Sequence, residues 1–335
     1  MGRPGGELLP PRSLTASTTL PPEGAGPCLG RPGAAAFAPT LIPMRPLADW
    51  PASERRGIVG VFTDIDDTLT TKGAITPDAL QALAVLKGAG LVVIAITGRP
   101  IGWCAPFMTG AAPWPVDAMV AENGAVAFVH ARKTEFSSQI GLEPTSNIDS
   151  SLSKLYQQDA VTRATNQMRM QKIAARVMFE VPGVFVTRDS VGRETDLAFD
   201  YHEHARLSTE KVQKVLALLQ GYGMHTTVSS IHIHGCFGNF DKWQGANWIV
   251  RELLGRDLAL ELDHWVFVGD SGNDQAMFEH FTHSVGVANI QRFADQLTHL
   301  PRYVTPSERG AGFAEVAAAI TAALSLKSLL KTDVI

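Results

Sequence analysis

The stretch Ile58–Thr68 reads IVGVFTDIDDT and decides the fold. Its first half, rich in Val and Ile and flanked by turn-forming residues, predicts a buried parallel strand over residues 58–63. Asp64, Asp66 and Asp67 follow at once, at the carboxyl end of the strand, where open α/β sheets bind their ligands. Along an extended chain Asp64 and Asp66 lie on the same side. Because two acids in one small site repel each other unless a cation neutralises them, the stretch indicates a bound metal ion and acid chemistry.

Strand-like and helix-like patterns alternate along the core of the sequence. The strand-like segments are 91–96, 117–121 and 264–269, and the helical segments are 78–88 and 243–254. This βαβ rhythm predicts an α/β fold with a Rossmann-like, doubly wound parallel sheet.

The rhythm breaks between about residues 130 and 234, where the chain is more polar and basic. This part has helical patterns at 152–175 and 209–220 and strand-like pieces at 183–187, 195–200 and 226–234. We therefore expect an inserted α+β cap domain at 129–234 and a catalytic core made of 55–128 and 235–325. Residues 1–54 begin with a stretch rich in Pro and Gly and are predicted to be a disordered N-terminal tail.

Composition excludes several classes of protein. The chain has 335 residues, of which 45% are hydrophobic and 19% charged, with a formal net charge of -4. Lys and Arg form no dense run, so we expect no nucleic-acid partner. The longest apolar runs have the length of strands, so we expect no membrane span. The three cysteines are far apart and predict no disulfide framework, which favours a cytoplasmic location.

Four short segments carry the chemistry: Asp64-x-Asp66-Asp67-Thr68, Thr97-Gly98-Arg99, Lys242 and Gly269–Asp274, which reads GDSGND. In order and residue type they resemble the haloacid dehalogenase-like superfamily. Within it they are similar to the phosphatases of subfamily IIB, which carry a large α/β cap between the second and third motifs. Sucrose-phosphate, mannosylphosphoglycerate and Cof-type phosphatases are of that kind. The resemblance covers roughly residues 58–323.

The resemblance implies a magnesium site. Asp64 and Asp270 would be side-chain ligands, the Asp66 backbone carbonyl a third ligand, and Asp274 a further acid that binds directly or through the outer shell. Mg²⁺ prefers oxygen ligands and neutralises the charge of a phosphate ester.

The resemblance also implies catalytic roles. Asp64 would attack phosphorus and form an aspartyl-phosphate, and Asp66 would serve as general acid and then base. Thr97 and Lys242 would hold the phosphoryl oxygens. The substrate-binding set is completed by the neighbouring Gly98 and Arg99 and by Asn273. Asn273 is further expected to fix Lys242 or Asp270.

The predicted function is hydrolysis of a small phosphomonoester, such as a sugar phosphate. Carbon–halogen cleavage is disfavoured because Asp66, Asp270 and Asp274 are all present. Two alternatives stay open, a phosphotransferase of the mutase kind and a non-catalytic binding protein of the same fold. The sequence fixes neither the substrate nor the oligomeric state.

Two groups of cap residues allow more than one interpretation. The pairs His202/His204 and His232/His234 each share a face of an extended chain, but no third ligand at zinc spacing joins them, so polar contacts behind the site are favoured. The second group is basic and helical, and it forms either a solvated face or a binding site for a second anionic group of the substrate. Its members are Arg163, Arg169, Lys172 and Arg176.

Overall fold

The computed structural model describes residues 43–130 and 152–332. The strands are β1 Arg45–Pro46, β2 Gly60–Thr63, β3 Thr70–Thr71, β4 Ala74–Ile75, β5 Val92–Ile96, β6 Ala118–Ala121, β7 Val126–His130, β8 Leu152–Tyr156, β9 Asp196–Asp200, β10 His225–Val228, β11 His232–Cys236, β12 Trp265–Gly269, β13 His283–Gly286 and β14 Tyr303–Val304. The α-helices are α1 Ala52–Arg55, α2 Pro77–Gly88, α3 Ile101–Thr109, α4 Ala160–Glu180, α5 Thr209–Gly221, α6 Lys242–Leu254, α7 Gln275–His280 and α8 Arg309–Thr332. Within these residues, no helix combines the length and apolar character needed to cross a membrane.

A mostly parallel sheet forms the core, with strand order β1-β14-β13-β12-β2-β5-β6-β7-β8. The strands from β1 to β6 in this order run parallel, and β7 and β8 are antiparallel additions at one edge. Strand β2 lies between β12 and β5, with Thr63 in register with both Val268 and Ala95. The carboxyl ends of these three strands therefore lie side by side, as the sequence predicts.

Alternate residues of the strands pack on opposite faces of the sheet. Val61 and Val93 contribute to the apolar cluster that includes helices α2, α3 and α8, whereas Phe62 and Ile94 contribute to the cluster that includes α6 and α7. Both faces are thus covered by helices, which confirms the predicted Rossmann-like α/β core.

The insert is a smaller α+β unit built on its own sheet, with strand order β10-β11-β9 and antiparallel pairing throughout. Helices α4 and α5 cover one face of this sheet through a separate apolar cluster that includes Val177, Val215 and Phe199. Asp159 and Ser208 accept hydrogen bonds at the N-termini of the two helices, so each helix begins at a capping residue.

The structure differs from the sequence prediction at two places in the insert region. Leu152–Tyr156, expected to begin a helix, is the strand β8, which pairs with β7 on the core sheet. β8 therefore belongs to the core sheet, although it lies beyond the expected core boundary at residue 128. The predicted strand at 183–187 is not formed, and only an isolated bridge joins Val186 to Phe199.

The predicted tail also extends too far. Residues 1–42 lie outside the described residues, but β1 and α1 belong to the core, because β1 pairs with β14. Trp50 is buried and stacks on Tyr303 at 5.7 Å. The boundary at residue 54 is therefore wrong, because this segment covers an otherwise open edge of the sheet.

Candidate active site

The three central strands deliver the predicted acidic and hydroxyl groups to one place. Asp64 continues β2, and its backbone N–H donates to the carbonyl of Val268 in β12 at 2.9 Å. Asp270 follows β12 directly, and Thr97 follows β5. All three side chains are buried. Segments that are up to about 200 residues apart in the sequence therefore meet because their strands are neighbours in the sheet.

Lys242 enters this cluster from the first turn of α6, on the core side of the cap junction. Its ammonium group donates to Asp64 Oδ1 at 2.5 Å and to Asp274 Oδ1 at 2.7 Å, and the residue is completely buried. A positive charge at a helix N-terminus is unfavourable, so the two carboxylates are what hold it there. Burial opposes its charge, but Asp274 and Asp64 outweigh burial and raise the pKa of Lys242, so it stays protonated.

Three buried carboxylates share this small volume. Asp64, Asp270 and Asp274 each offer an oxygen within 4.8 Å of the others. Burial raises the pKa of Asp64 to about 8, and Asp274 and Asp66 act in the same direction, whereas Lys242 opposes them. Burial also raises the pKa of Asp270, and Asp64 adds to that effect. One ammonium group is thus too little charge for three carboxylates, and the cluster favours an additional cation.

The carboxylate oxygens of these acids differ in their hydrogen-bond partners. Asp270 Oδ2 accepts from Asn289 Nδ2 at 2.7 Å, whereas Asp270 Oδ1 is buried without a hydrogen-bond partner among the described residues. Asp274 Oδ2 accepts the backbone N–H groups of Asp270 and Ser271 at 2.8 and 3.0 Å. An unpartnered buried carboxylate oxygen beside Asp64 fits a hard divalent cation. Both oxygens of Asp274 are already bonded, which suits an outer position.

Asp66 points away from this cluster and pairs with Arg99. The guanidinium donates through Nη2 to Asp66 Oδ1 at 2.8 Å and through Nε to Asp66 Oδ2 at 2.9 Å. The same guanidinium bonds two cap residues, Glu203 at 2.8 Å and Asp189 at 3.2 Å. Each nitrogen of Arg99 therefore has a carboxylate partner. Its predicted contact with substrate stays a prediction, and the structure adds a link between core and cap.

The remaining predicted residues surround the same point. Thr97 Oγ1 accepts the backbone N–H of Arg99 at 3.0 Å. Asn273 donates to Asn123 at 3.0 Å and accepts from Ser271 at 3.1 Å. The expectation that Asn273 fixes Lys242 or Asp270 is wrong, because Lys242 is held by carboxylates and Asp270 by Asn289.

A small cleft lies over the cluster, between core and cap. Its core side is lined by Asp64, Asp66, Gly98, Arg99, Ser271 and Asn273, and its cap side by Ser229, Ser230, His232 and His234. We call these four cap residues the roof.

The basic residues of α4 do not line the cleft. Arg163 lies over the Tyr156 ring and Arg169 over the Phe237 ring, while Arg176 pairs with Glu180. The structure therefore favours the interpretation that this group forms packed and solvated contacts.

The two histidine pairs differ in burial. His232 and His234 are buried, and they bond the carboxylates of Glu203 at 2.9 Å and Asp196 at 3.0 Å. His202 and His204 are exposed. The cluster with metal-binding geometry in the described residues includes neither pair, and His232 and His234 instead line the cleft as part of the roof.

Two important residues escape sequence reasoning. Asn289 joins Asp270 to the carbonyl of Asp67 at 3.0 Å and follows β13, a strand that no motif marks. Glu122 is buried and accepts N–H groups from Ile101 in the core and from residues 194–196 in the cap. The sequence signal for Glu122 is weak, a Glu122-Asn123-Gly124 turn directly after the apolar segment 117–121.

Comparisons with known proteins agree with this architecture. Among solved structures, a protein of Thermoplasma acidophilum is 18% identical, with a TM-score of 0.57 over 79% of this chain and 98% of that chain. The sucrose-phosphatase of Synechocystis sp. PCC6803, solved with sucrose and phosphate, is 15% identical, with a TM-score of 0.55 over 78% and 98%. A sugar phosphatase of HAD subclass IIB is 17% identical, with a TM-score of 0.50 over 82% and 99%. These likenesses establish the fold.

No match was found among curated proteins. The model of one protein family, the haloacid dehalogenase-like hydrolases, matches residues 61–316, which include all four predicted motifs. The resemblance found in the sequence is thereby confirmed, and the chain belongs to the haloacid dehalogenase-like hydrolases.

Proposed function

We propose that this protein is a magnesium-dependent phosphomonoester hydrolase that acts on a small phosphorylated metabolite, such as a sugar phosphate, through an aspartyl-phosphate. The observation that carries the proposal is the buried contact of Asp64 with Lys242 beside Asp270, whose Oδ1 has no hydrogen-bond partner in the part of the chain that the structure describes. A carboxylate nucleophile, a fixed cation and an oxygen-rich metal position are the parts that phosphoryl transfer requires.

In the first step, Asp64 would attack phosphorus while the bond from phosphorus to the leaving oxygen breaks. Lys242 would stabilise the charge on the phosphoryl oxygens, and Thr97 would donate a hydrogen bond to one of them. Asp66 would protonate the leaving alkoxide and, in the second step, take a proton from the water that hydrolyses the aspartyl-phosphate. Asp66 lines the cleft, where a leaving group would lie, and Arg99 holds its carboxylate there.

Magnesium would be held by Asp64 and Asp270, with the Asp66 carbonyl as a third ligand and Asp274 as the outer acid. Its chemistry when bound is to neutralise the charge of the phosphate ester. The donor set fits, because the acids supply hard oxygen ligands and the cluster has more carboxylates than cations.

A small substrate is supported by the cap. The cleft above Asp64 is small, and a folded unit covers it, so a large protein substrate would not reach the nucleophile. Closure of the cap would also exclude bulk water during the first transfer. The structural neighbours that are named for sucrose-phosphate and sugar-phosphate chemistry support a sugar phosphate. A cytoplasmic location belongs to the same proposal, since Cys104 and Cys236 are free thiols.

The test is a screen of purified protein against phosphorylated metabolites, with and without Mg²⁺, for wild type and Asp64→Asn. We expect stoichiometric release of inorganic phosphate that requires Mg²⁺. In the variant turnover should fall by roughly three orders of magnitude or more, with an unchanged circular dichroism spectrum. A variant that hydrolyses p-nitrophenyl phosphate at the wild-type rate would refute Asp64 as nucleophile. Transfer of the phosphoryl group to a second sugar without phosphate release would favour the mutase alternative.

A further inference from the structure

The roof of the cleft contains a buried hydrogen-bonding atom without a partner. His234 is 2% exposed and lines the cleft, and its Nε2 has no hydrogen-bond partner among the described residues. The atom lies close to the backbone of the Thr97-Gly98-Arg99 segment, since a Cβ placed on Gly98 would be 3.0 Å from it. Because buried polar atoms are normally satisfied, this atom indicates a ligand group that the structure does not contain.

The neighbours of His234 determine its tautomer. Its Nδ1 lies 3.0 Å from Asp196 Oδ2, and Asp196 is also bonded by Arg193 at 2.8 Å. Burial raises the pKa of Asp196, but Arg193 and His234 outweigh burial and lower it, so the carboxylate is ionised. An ionised carboxylate cannot donate, and Nδ1 must therefore carry the proton.

Burial also keeps the ring neutral. It lowers the pKa of His234 to about 4, although Asp196 acts in the opposite direction. With Nδ1 protonated and the ring uncharged, Nε2 carries a lone pair and can only accept a hydrogen bond.

We propose that His234, oriented by Asp196, is a specificity-determining residue that accepts a hydrogen bond from a hydroxyl group of the leaving alcohol. The substrate class is then the monophosphate of an uncharged sugar or polyol, as distinct from a bisphosphate or a phosphorylated acid. This inference rests on the proposed hydrolase function.

A second unpartnered group supports a polyol. Ser230 Oγ is buried, lines the same cleft and likewise has no partner among the described residues. A hydroxyl can donate and accept, so Ser230 and His234 together offer what two hydroxyl groups of one alcohol need.

The charges around the cleft oppose a second anion. Arg99 is the basic side chain that lines the cleft, and its guanidinium is bonded to Asp66, Asp189 and Glu203. Burial alone would raise the pKa of Glu203, but His232 and Arg99 outweigh it and lower the pKa to about 2, so Glu203 is a carboxylate. An additional phosphate or carboxylate would meet a lone pair and fixed negative charges with no free cation among the cleft-lining residues.

The experiment compares matched substrates in wild type and His234→Leu. The first pair is glycerol 1-phosphate and n-propyl phosphate, which differ in hydroxyl groups, and the second is glucose 6-phosphate and glucose 1,6-bisphosphate. Wild type should prefer the first member of each pair in kcat/KM. His234→Leu should lower the ratio for the glycerol and propyl esters about tenfold or more, mainly through KM, because the hydroxyl loses its acceptor.

Three further variants keep the test decisive. His234→Gln can still accept through its amide oxygen and should restore part of the ratio. Ser230→Ala tests the same roof if the His234 variants fail to fold. His202→Leu changes an exposed cap histidine outside the cleft and should leave the ratio as in wild type.

Asp196 is a positioning residue, and its effect has a readout independent of turnover. In wild type, ¹⁵N NMR of the His234 imidazole should show a protonated Nδ1 and a bare Nε2. In Asp196→Asn the tautomer should become mixed, and the substrate ratio should fall with it.

The outcomes separate this inference from the proposed function. Turnover that depends on Asp64, with no preference for the hydroxyl-bearing ester or with a preference for the bisphosphate, would overturn the inference alone. Unchanged ratios in His234→Leu and Ser230→Ala would do the same. Absence of any turnover that depends on Asp64 would overturn the proposed function and the inference together.

Discussion

The floor and the roof of the cleft are built on opposite principles. In the floor, the ionisable side chains of Asp64, Asp270, Asp274 and Lys242 are buried at the ends of parallel strands and at a helix start, and Lys242 donates hydrogen bonds to Asp64 and Asp274. In the roof, serine and histidine side chains line the cleft, and two of their polar atoms, Ser230 Oγ and His234 Nε2, have no hydrogen-bond partner among the described residues. The ionisable groups of the floor are suited to phosphoryl transfer, whereas the unpartnered polar atoms of the roof are suited to binding a ligand.

This difference locates chemistry and selectivity in separate units. The floor is anchored in a sheet with helices on both faces, so its geometry is rigid. The roof sits on a small antiparallel sheet that contacts the floor through polar links at Glu122 and Arg99. Changes in the floor should therefore abolish turnover, whereas changes in the links should alter how the roof engages the substrate.

Among the changes that test this contrast through stability, the largest effect is expected from Lys242→Met, which removes the cation of the floor and keeps its volume. Loss of the ammonium leaves buried carboxylates uncompensated, which should cost about 3–5 kcal/mol of the free energy of unfolding. Turnover should fall by about two orders of magnitude, because the phosphoryl charge loses its partner. Added Mg²⁺ should raise the melting temperature of the variant more than that of wild type, since a cation now replaces Lys242.

Lys214→Met is the matched control, because Lys214 is exposed on α5 and bonds only the carbonyl of Glu180 among the described residues. It should change stability by less than about 1 kcal/mol. Thermal unfolding and steady-state kinetics on both variants decide the matter. If Lys242→Met is as stable and active as the control, the floor is not held together by this charge.

The same contrast explains what the sequence could predict. Asp64, Asp270 and Lys242 were identified because each belongs to a short motif at the end of an element, where local pattern and topology agree. His232 and His234 were noticed as a pair, but their orientation depends on Asp196 and Glu203, whose positions follow from the folded cap.

Contacts between residues that are far apart in the sequence also explain the incorrect predictions for residues 152–156 and for Trp50. The strand β8 has a short polar sequence that also fits a helix start, and the segment is a strand because it pairs with β7. Trp50 was assigned to the tail because its partner Tyr303 lies about 250 residues later in the chain. Neither contact leaves a local signal in the sequence.

A smaller effect is expected at Glu122, which joins the core to the cap. Burial raises the pKa of Glu122 to about 7, and Asp196 acts in the same direction. The folded state therefore holds a proton that the unfolded chain has lost above its usual pKa, near 4.5. The resulting stabilisation is complete below that value and is lost as pH rises through about 7, by about 3 kcal/mol in all.

Glu122→Gln cannot ionise and should lose this part of the pH dependence. It should also destabilise the protein by about 2 kcal/mol near neutral pH, because an amide accepts fewer of the N–H groups of residues 194–196. Urea unfolding between pH 5 and 8 in saturating Mg²⁺ measures both effects, since bound metal suppresses titration of the floor. Equal slopes for wild type and variant would show that Glu122 does not titrate in this range.

The smallest effect is expected from Glu203→Gln, which weakens the link between roof and floor at Arg99. Glu203 accepts from Arg99 at 2.8 Å and from His232 at 2.9 Å, so it ties the roof to the residue that holds Asp66. Because the Arg99–Glu203 pair is partly exposed, its loss should raise KM only about two- to fivefold, with a smaller change in kcat.

High salt should raise the KM of wild type, because it screens this ion pair, and it should leave the variant nearly unaffected, because the variant lacks the ion pair. Glu210→Gln, on the exposed start of α5, should keep the salt response of wild type. A Glu203→Gln enzyme with the KM and salt response of wild type would mean that roof and floor are joined through Glu122 and packing. The role of Arg99 would then be to hold Asp66, and its bond to Glu203 would not affect substrate binding.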